Sequence, residues 1–222
     1  MSRPVPIGWQ RTQMLEQLAQ LCRHGQTGRT AWQAAPSGFA ELDANLPGGG
    51  WPIGAIAELM SDAAGIGELS LLMPVLSRLA RAGRYIAYIA PPYLPYGPAL
   101  AQRGVPLERV LLIQTRSLQE SLWATEQALR CPAIGAVLGW PAHIVDRSVR
   151  RLQLAAEVGG SLGILYRPPA AARESSPAAL RLRLHAAPEG LAVEIHKSRG
   201  GAAGLTLRVA VTPTGVAPPV AA

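Results

Sequence analysis

The stretch Glu58-Leu59-Met60-Ser61-Asp62-Ala63-Ala64-Gly65-Ile66-Gly67-Glu68-Leu69-Ser70 stands where a phosphate-binding loop would stand. An apolar, strand-like run from Ala55 to Met60 leads into it, and a helix-like apolar run from Glu68 to Ala80 leads out. In a working loop of the form G-x-x-x-x-G-K-S/T, backbone N–H groups cradle the phosphates, a lysine neutralises them and a hydroxyl holds Mg²⁺. Here the lysine position is Gly67 and the hydroxyl position is Glu68, whose charge repels a triphosphate. Ser61, Asp62, Gly65, Gly67 and Glu68 therefore form a degenerate phosphate loop. It keeps the architecture without the chemistry, which predicts a binding protein with no catalytic residue and no cofactor.

Three further groups have a spacing that suits recognition. Arg147, Arg150 and Arg151 fall at i, i+3 and i+4 and share a helix face, while Arg167 and Arg173 flank a loop; together they could track a nucleic acid backbone. The bland alternative is a solvated face with a few ion pairs, and no aromatic residue interleaves for base stacking. Tyr93 and Tyr96 sit among Pro91, Pro92, Pro95 and Pro98, and Trp140 follows a later strand. Aromatics of this kind are over-represented in binding hot spots. Met14, Leu15, Leu18 and Leu21 make one apolar stripe on a predicted helix, Gln10 to Arg23, which either packs on its own core or docks on a partner. His24, His143, His185 and His196 form no metal constellation, and Cys22 and Cys131 match neither a zinc nor a redox spacing. Two buried thiols in a reducing, cytoplasmic setting is the expectation.

These residues need a scaffold, and the pattern supplies one. Residues 1–35 read as a helical arm and polar linker. A short helix follows from Ala40 to Leu46, with Ser37 as its cap, and Gly48-Gly49-Gly50-Trp51-Pro52 ends it. Strands are predicted at Ala55–Met60, Tyr85–Ala90, Val110–Ile113, Ile134–Gly139 and Leu162–Tyr166. Helices are predicted at Glu68–Ala82, Gly97–Arg103, Ser117–Arg130 and Ile144–Val158. Pro74 demands a kink or a late start in the first of these. Near-continuous apolar strands alternating with helices predict an α/β domain with a mostly parallel central sheet. Pro168 to Pro177 reads as a mobile loop. Leu180-Arg181-Leu182-Arg183-Leu184 and Leu191-Ala192-Val193-Glu194-Ile195 alternate strictly, predicting antiparallel strands with one polar face, and Leu205 to Val211 adds another. Residues 36–212 form the core domain and 213–222 a disordered tail.

With 222 residues, one domain with extensions is expected. No run approaches a membrane span, and no secretory signal is visible at the N-terminus. The net charge of +7 is almost entirely arginine, with Lys197 the only lysine. Such a charge favours nucleic acid or acidic protein partners; drift toward Arg, Ala, Gly and Pro in base composition gives the same figure.

Residues 36 to 200 resemble the core of RecA-type recombinases. The residues that carry the likeness are Gly38-Phe39-Ala40-Glu41-Leu42-Asp43, Leu46-Pro47-Gly48-Gly49-Gly50-Trp51-Pro52-Ile53-Gly54, Val110-Leu111-Leu112 and the strand pair ending in His196-Lys197-Ser198-Arg199. Within that superfamily, Trp123-Ala124-Thr125-Glu126-Gln127-Ala128-Leu129-Arg130 followed by Gly135-Ala136-Val137-Leu138-Gly139-Trp140 resembles the ImuA branch of translesion-synthesis accessory proteins, which is related to the SulA division inhibitors. The resemblance implies a RecA-like sheet and an N-terminal helical arm that reaches a neighbour. It also implies that the loops around Arg167 and Arg173 lie near single-stranded DNA. The departures are as telling. The position of the metal-supporting acid is Gly139, and Ala90-Pro91-Pro92 stands where a catalytic Glu would follow. Charge-assisted contacts contribute ~1.5–3 kcal/mol each, so losing three or four of them removes most phosphate affinity and catalysis.

The expectation is a non-catalytic accessory protein of the SOS DNA-damage response. Its implied partners are ImuB (an inactive Y-family polymerase homologue), an error-prone replicative-type polymerase subunit, RecA and single-stranded DNA, with no membrane. Two alternatives remain open. One is a SulA-like inhibitor that binds the tubulin-like division protein FtsZ; the predicted arm at Gln10–Arg23 counts against it. The other is a residual ATP-dependent DNA-binding protein.

Overall fold

The computed structural model describes residues 34–141, 143–201 and 203–211. The helix expected at Gln10–Arg23, with Met14, Leu15, Leu18 and Leu21, and the expected tail lie outside these residues. The strands are β1 (Ala34–Ala35), β2 (Trp51–Pro52), β3 (Ala55–Ser61), β4 (Tyr85–Ile89), β5 (Val110–Ile113), β6 (Ile134–Gly139), β7 (Leu162–Arg167), β8 (Leu180–Ala187), β9 (Gly190–Ser198) and β10 (Leu205–Val209). The α-helices are α1 (Ala40–Asn45), α2 (Met73–Arg81), α3 (Gly97–Gln102), α4 (Leu118–Arg130) and α5 (Asp146–Gly159).

Eight strands form one sheet in the order β10-β9-β8-β3-β7-β6-β4-β5. The six from β8 to β5 are mutually parallel, and β9 and β10 add antiparallel at one edge. This is the mixed α/β architecture expected, and its cause is visible in the side chains. Every residue of β6 and β7 is buried, and β3 is buried up to its last residue. Strands this apolar must be covered on both faces. One face packs on α1, α2 and α3 through Leu42, Leu76 and Leu100, and its core runs on through the inward leucines of β8. The other face packs on α4 and α5 through Ala124, Leu129, Val149 and Leu152. By contrast β8 and β9 alternate, placing Leu182, Leu184, Val193 and Ile195 in the core.

Three expectations are corrected. The helix after β3 starts at Met73 rather than Glu68, which is the late start that Pro74 allowed, because a proline belongs in the first helical turn, where no N–H is needed. Ser37 does not cap α1. Phe39 is the cap residue, and Asp43 instead reaches back to accept the Ser37 N–H at 2.7 Å. Cys131 is buried, as expected, but it is disulfide-bonded rather than a free thiol. No helix among the described residues is long and apolar enough to cross a membrane.

The two outer helices are held at their ends by side chains. Ser117 caps α4 by accepting the Glu120 N–H, and the Glu120 carboxylate accepts the Arg116 N–H at 2.9 Å. Replacing Ser117 by Ala is expected to cost about 1 kcal/mol, read by thermal unfolding. The last carbonyls of α5 are met by the Arg84 guanidinium, which donates to Gly160 O at 2.8 Å and Gly159 O at 3.2 Å. A cation at a helix C-terminus is favourable. Burial holds the Arg84 pKa below its ordinary value.

Candidate functional site

The C-terminal ends of β3, β4, β6 and β7 converge where open α/β sheets place their sites. Loop residues 62–72 leave β3 there. Gly65 and Gly67 take positive φ values of 80° and 112°. Their N–H groups turn inward and donate to a single carboxylate: Gly65 N to Glu68 Oε1 at 2.8 Å and Gly67 N to Glu68 Oε2 at 3.1 Å. The backbone amides of this loop thus hold an anion that the chain itself supplies. Ser61 closes the entry by exchanging hydrogen bonds with the backbone of Ala63. Asp62 lies outermost, 3.7 Å from His185.

Beneath the loop is a stack of three rings, contributed by β4, β7 and the residue that follows β6. The Trp140 ring centroid lies 4.7 Å from that of Tyr166 and 6.3 Å from that of Tyr88, with its plane nearly parallel to both. The Tyr88 and Tyr166 hydroxyls are buried without a hydrogen-bond partner among the described residues. Burial pushes both phenols above their ordinary pKa, and for Tyr166 the Glu68 charge adds to the shift. Trp140, singled out as a partner-binding residue, is thus half-buried and serves mainly as the middle ring of this stack. Directly after β4, Ala90 takes a φ of +47°, a left-handed conformation that non-glycine residues rarely adopt. That strained residue turns the chain into the aromatic-proline segment. Tyr93 is 51% exposed, Leu94 61% and Tyr96 53%. Leu107, in the turn before β5, lies against the start of α3, and Leu112 is on the edge strand; both are exposed. The aromatic cluster is therefore open surface. The sequence signalled its tyrosines but not the leucines, which look like core residues in any apolar run.

The candidate nucleic-acid arginines are not brought together. Arg147, Arg150 and Arg151 do share the exposed side of α5, and Arg151 pairs with Glu126 at 2.8 Å. Arg173 is exposed in the turn after β7. Arg167 is withdrawn from that set: it is buried and bonded to Glu58 at 3.1 Å and to Glu174 at 2.8 Å. A guanidinium buried inside the sheet and already neutralised by two carboxylates is out of reach of a phosphate backbone.

The same ion network corrects the expected mobility of residues 168–177. Glu58 is fully buried and also receives Arg181 Nε at 2.6 Å and Ser176 Oγ at 3.0 Å. Arg181 in turn donates to Glu174 O at 2.9 Å and Ala171 O at 2.6 Å. His196 bonds Ala172 O, and Lys197 bonds Ser176 O. The segment is pinned along its length, and Arg181 faces this network rather than water. No group of three or more His, Cys, Asp or Glu residues suited to a metal occurs among the described residues.

Comparison with known proteins places these features. The model of the family described as cell division inhibitor SulA matches residues 54–163, from the last residue before β3 into β7. The cell division inhibitor SulA of Edwardsiella piscicida is 36% identical over 101 residues, which are 45% of this chain and 60% of that protein. The SulA of Serratia marcescens is 28% identical over 124 residues, 56% of this chain and 72% of that protein. Among solved structures, SulA from Pseudomonas aeruginosa is 27% identical, with 50% of this chain and 97% of that chain covered. Its TM-score of 0.42 is too low to carry an argument about fold. The expected role as an ImuA-type translesion accessory protein is overturned by these matches, which all carry the division-inhibitor name, and they give ImuB and a polymerase subunit no support as partners. Over residues 54–163 the chain is similar to the SulA division inhibitors, and it spans 60% of the length of the Edwardsiella relative.

Proposed function

We propose that this protein is a non-enzymatic inhibitor of bacterial cell division, made in response to DNA damage, that acts in the cytoplasm by binding the tubulin-like division protein FtsZ. The observation that carries the reading is the SulA family match over 54–163, which spans the loop, the aromatic-proline segment and both outer helices. The loop supports the absence of turnover. It has no lysine or hydroxyl at the phosphate positions, and Glu68 already occupies the backbone donors. On this reading residues 36–212 are a RecA-like core that has given up its nucleotide, and residues 1–35 are an arm appended to it.

The exposed Tyr93, Leu94 and Tyr96 supply the contact surface, in keeping with the enrichment of tyrosine in binding hot spots. Expression in dividing bacteria is expected to give filamentous cells, and the purified protein to block FtsZ polymerisation in a sedimentation assay. The Tyr93→Ser/Tyr96→Ser double variant should fold normally and lose roughly tenfold or more in potency. Normal division together with undisturbed FtsZ polymer would sink the reading. Calorimetric titration with Mg²⁺-ATP is expected to give no binding heat.

A further inference from the structure

We propose that the outward side of α5 is a docking surface for an acidic amphipathic segment of a partner protein. Along this side run Arg147, Arg150, Leu154 and Val158, spaced by three or four residues so that they line one stripe. Leu154 is 59% exposed and Val158 74%. Val145, just before the helix, is exposed as well. Arg147 and Arg150 make no ion pair among the described residues, whereas Arg151 and Arg130 share Glu126. Glu157 is taken up by Gln153 at 3.1 Å. The stripe therefore offers two unneutralised cations at one end and two bare aliphatic side chains at the other.

Local stability does not account for this arrangement. Arg147 and Arg150 lie in the first turns of α5, where the helix dipole disfavours positive charge. Leu154 and Val158 leave apolar area in water on a helix whose opposite side already supplies Val149, Leu152, Ala155 and Ala156 to the core. Both features become favourable when the stripe is covered by a segment with acids at one end and apolar residues at the other.

Charge selects among occupants. Residues 1–33 of this chain contain Arg3, Arg11, Arg23 and Arg29 against Glu16 alone, so the chain's own N-terminal segment repels the arginine end. A second copy meeting on the same face sets arginine against arginine. A nucleic acid backbone suits the arginines but leaves Leu154 and Val158 unpaired with anything apolar, and no aromatic side chain stands in the stripe for a base. An acidic amphipathic helix satisfies both ends.

The test uses the full chain and fluorescence anisotropy with three probes: a labelled helical peptide of about 18 residues carrying Glu and Leu at matching spacing, its scrambled counterpart, and a single-stranded oligonucleotide of equal charge. The patterned peptide is expected to bind in the micromolar range and at least about tenfold tighter than the other two. Arg147→Glu/Arg150→Glu and Leu154→Asn/Val158→Thr should each weaken it roughly tenfold. Arg208→Glu, on the edge strand β10, should leave it unchanged. All four positions of the stripe are exposed, so folding is preserved. Equal binding of the scrambled peptide, preference for the oligonucleotide, insensitivity to the α5 variants, or no peptide binding at micromolar concentration would each overturn the proposal.

Discussion

Replacing Glu58 by Ala is expected to lower the unfolding free energy by about 3–5 kcal/mol, enough to shift the melting temperature by on the order of 10 °C in a chain of this size. Glu58 sits in the central strand β3, with Arg167 of β7 on one side and Arg181 of β8 on the other. Its two carboxylate oxygens receive both guanidinium groups and the Ser176 hydroxyl. Removing the carboxylate leaves Arg181 paired only with backbone carbonyls, leaves Arg167 only its exposed partner Glu174, and buries the excess positive charge. A buried charge without its counterion is among the few single changes whose cost exceeds 3 kcal/mol. Urea unfolding gives the measurement. A loss below about 1 kcal/mol would show that water enters and solvates the arginines, against the burial described. A triple variant, Glu58→Met/Arg167→Met/Arg181→Leu, is expected to recover most of the loss, because apolar residues of similar volume need no counterion.

The second large effect is expected at Gly159, in the last turn of α5. A Cβ built there meets Leu129 O at 2.0 Å and the carbonyl carbon of Arg130 at 2.8 Å. Those are backbone atoms of α4 and cannot rotate aside, so Gly159→Ala must push the two helices apart. The Arg84 clamp on Gly159 and Gly160 and the Ser161 hydroxyl bond to Leu129 O lie at the same junction and are displaced with it. The expected cost is about 3 kcal/mol, the upper part of the range for overpacking. Gly160→Ala is the control: its Cβ meets nothing within 4 Å, and only its φ of +59° is unfavourable. That change should cost about 1 kcal/mol. Equal losses at the two positions would mean that backbone strain, rather than helix contact, sets both.

Periodicity made most of the scaffold legible. The five apolar runs became the five strands β3 to β7, and the alternating leucines of β8 and β9 became the antiparallel edge, because a period of two or an unbroken apolar run has few alternative ways to be buried. Boundaries depended on single residues, as Pro74 illustrates. What composition concealed was pairing over long distances. Pro168 to Pro177 is small, polar and proline-rich, which reads as mobile; its order comes from Glu58 and Arg181, which no local window connects to it. Arg167 looked like a ligand for phosphate because a sequence does not tell a guanidinium on the surface from one inside. The degenerate loop was read from absences, and the positive feature that replaces the missing phosphate, Glu68 folding back on its own amides, needed coordinates.

Strand order also has a consequence during synthesis. β3 lies between β7 and β8, and its Glu58 waits for Arg181, 123 residues downstream. At typical elongation speeds that partner leaves the ribosome roughly 6–25 s later. For most of that interval β3, buried up to its last residue in the finished fold, has neither neighbour, because β7 emerges only shortly before β8; the nascent protein therefore depends on holding factors until its C-terminal third arrives, and a truncated product would be an aggregation-prone fragment rather than a smaller domain.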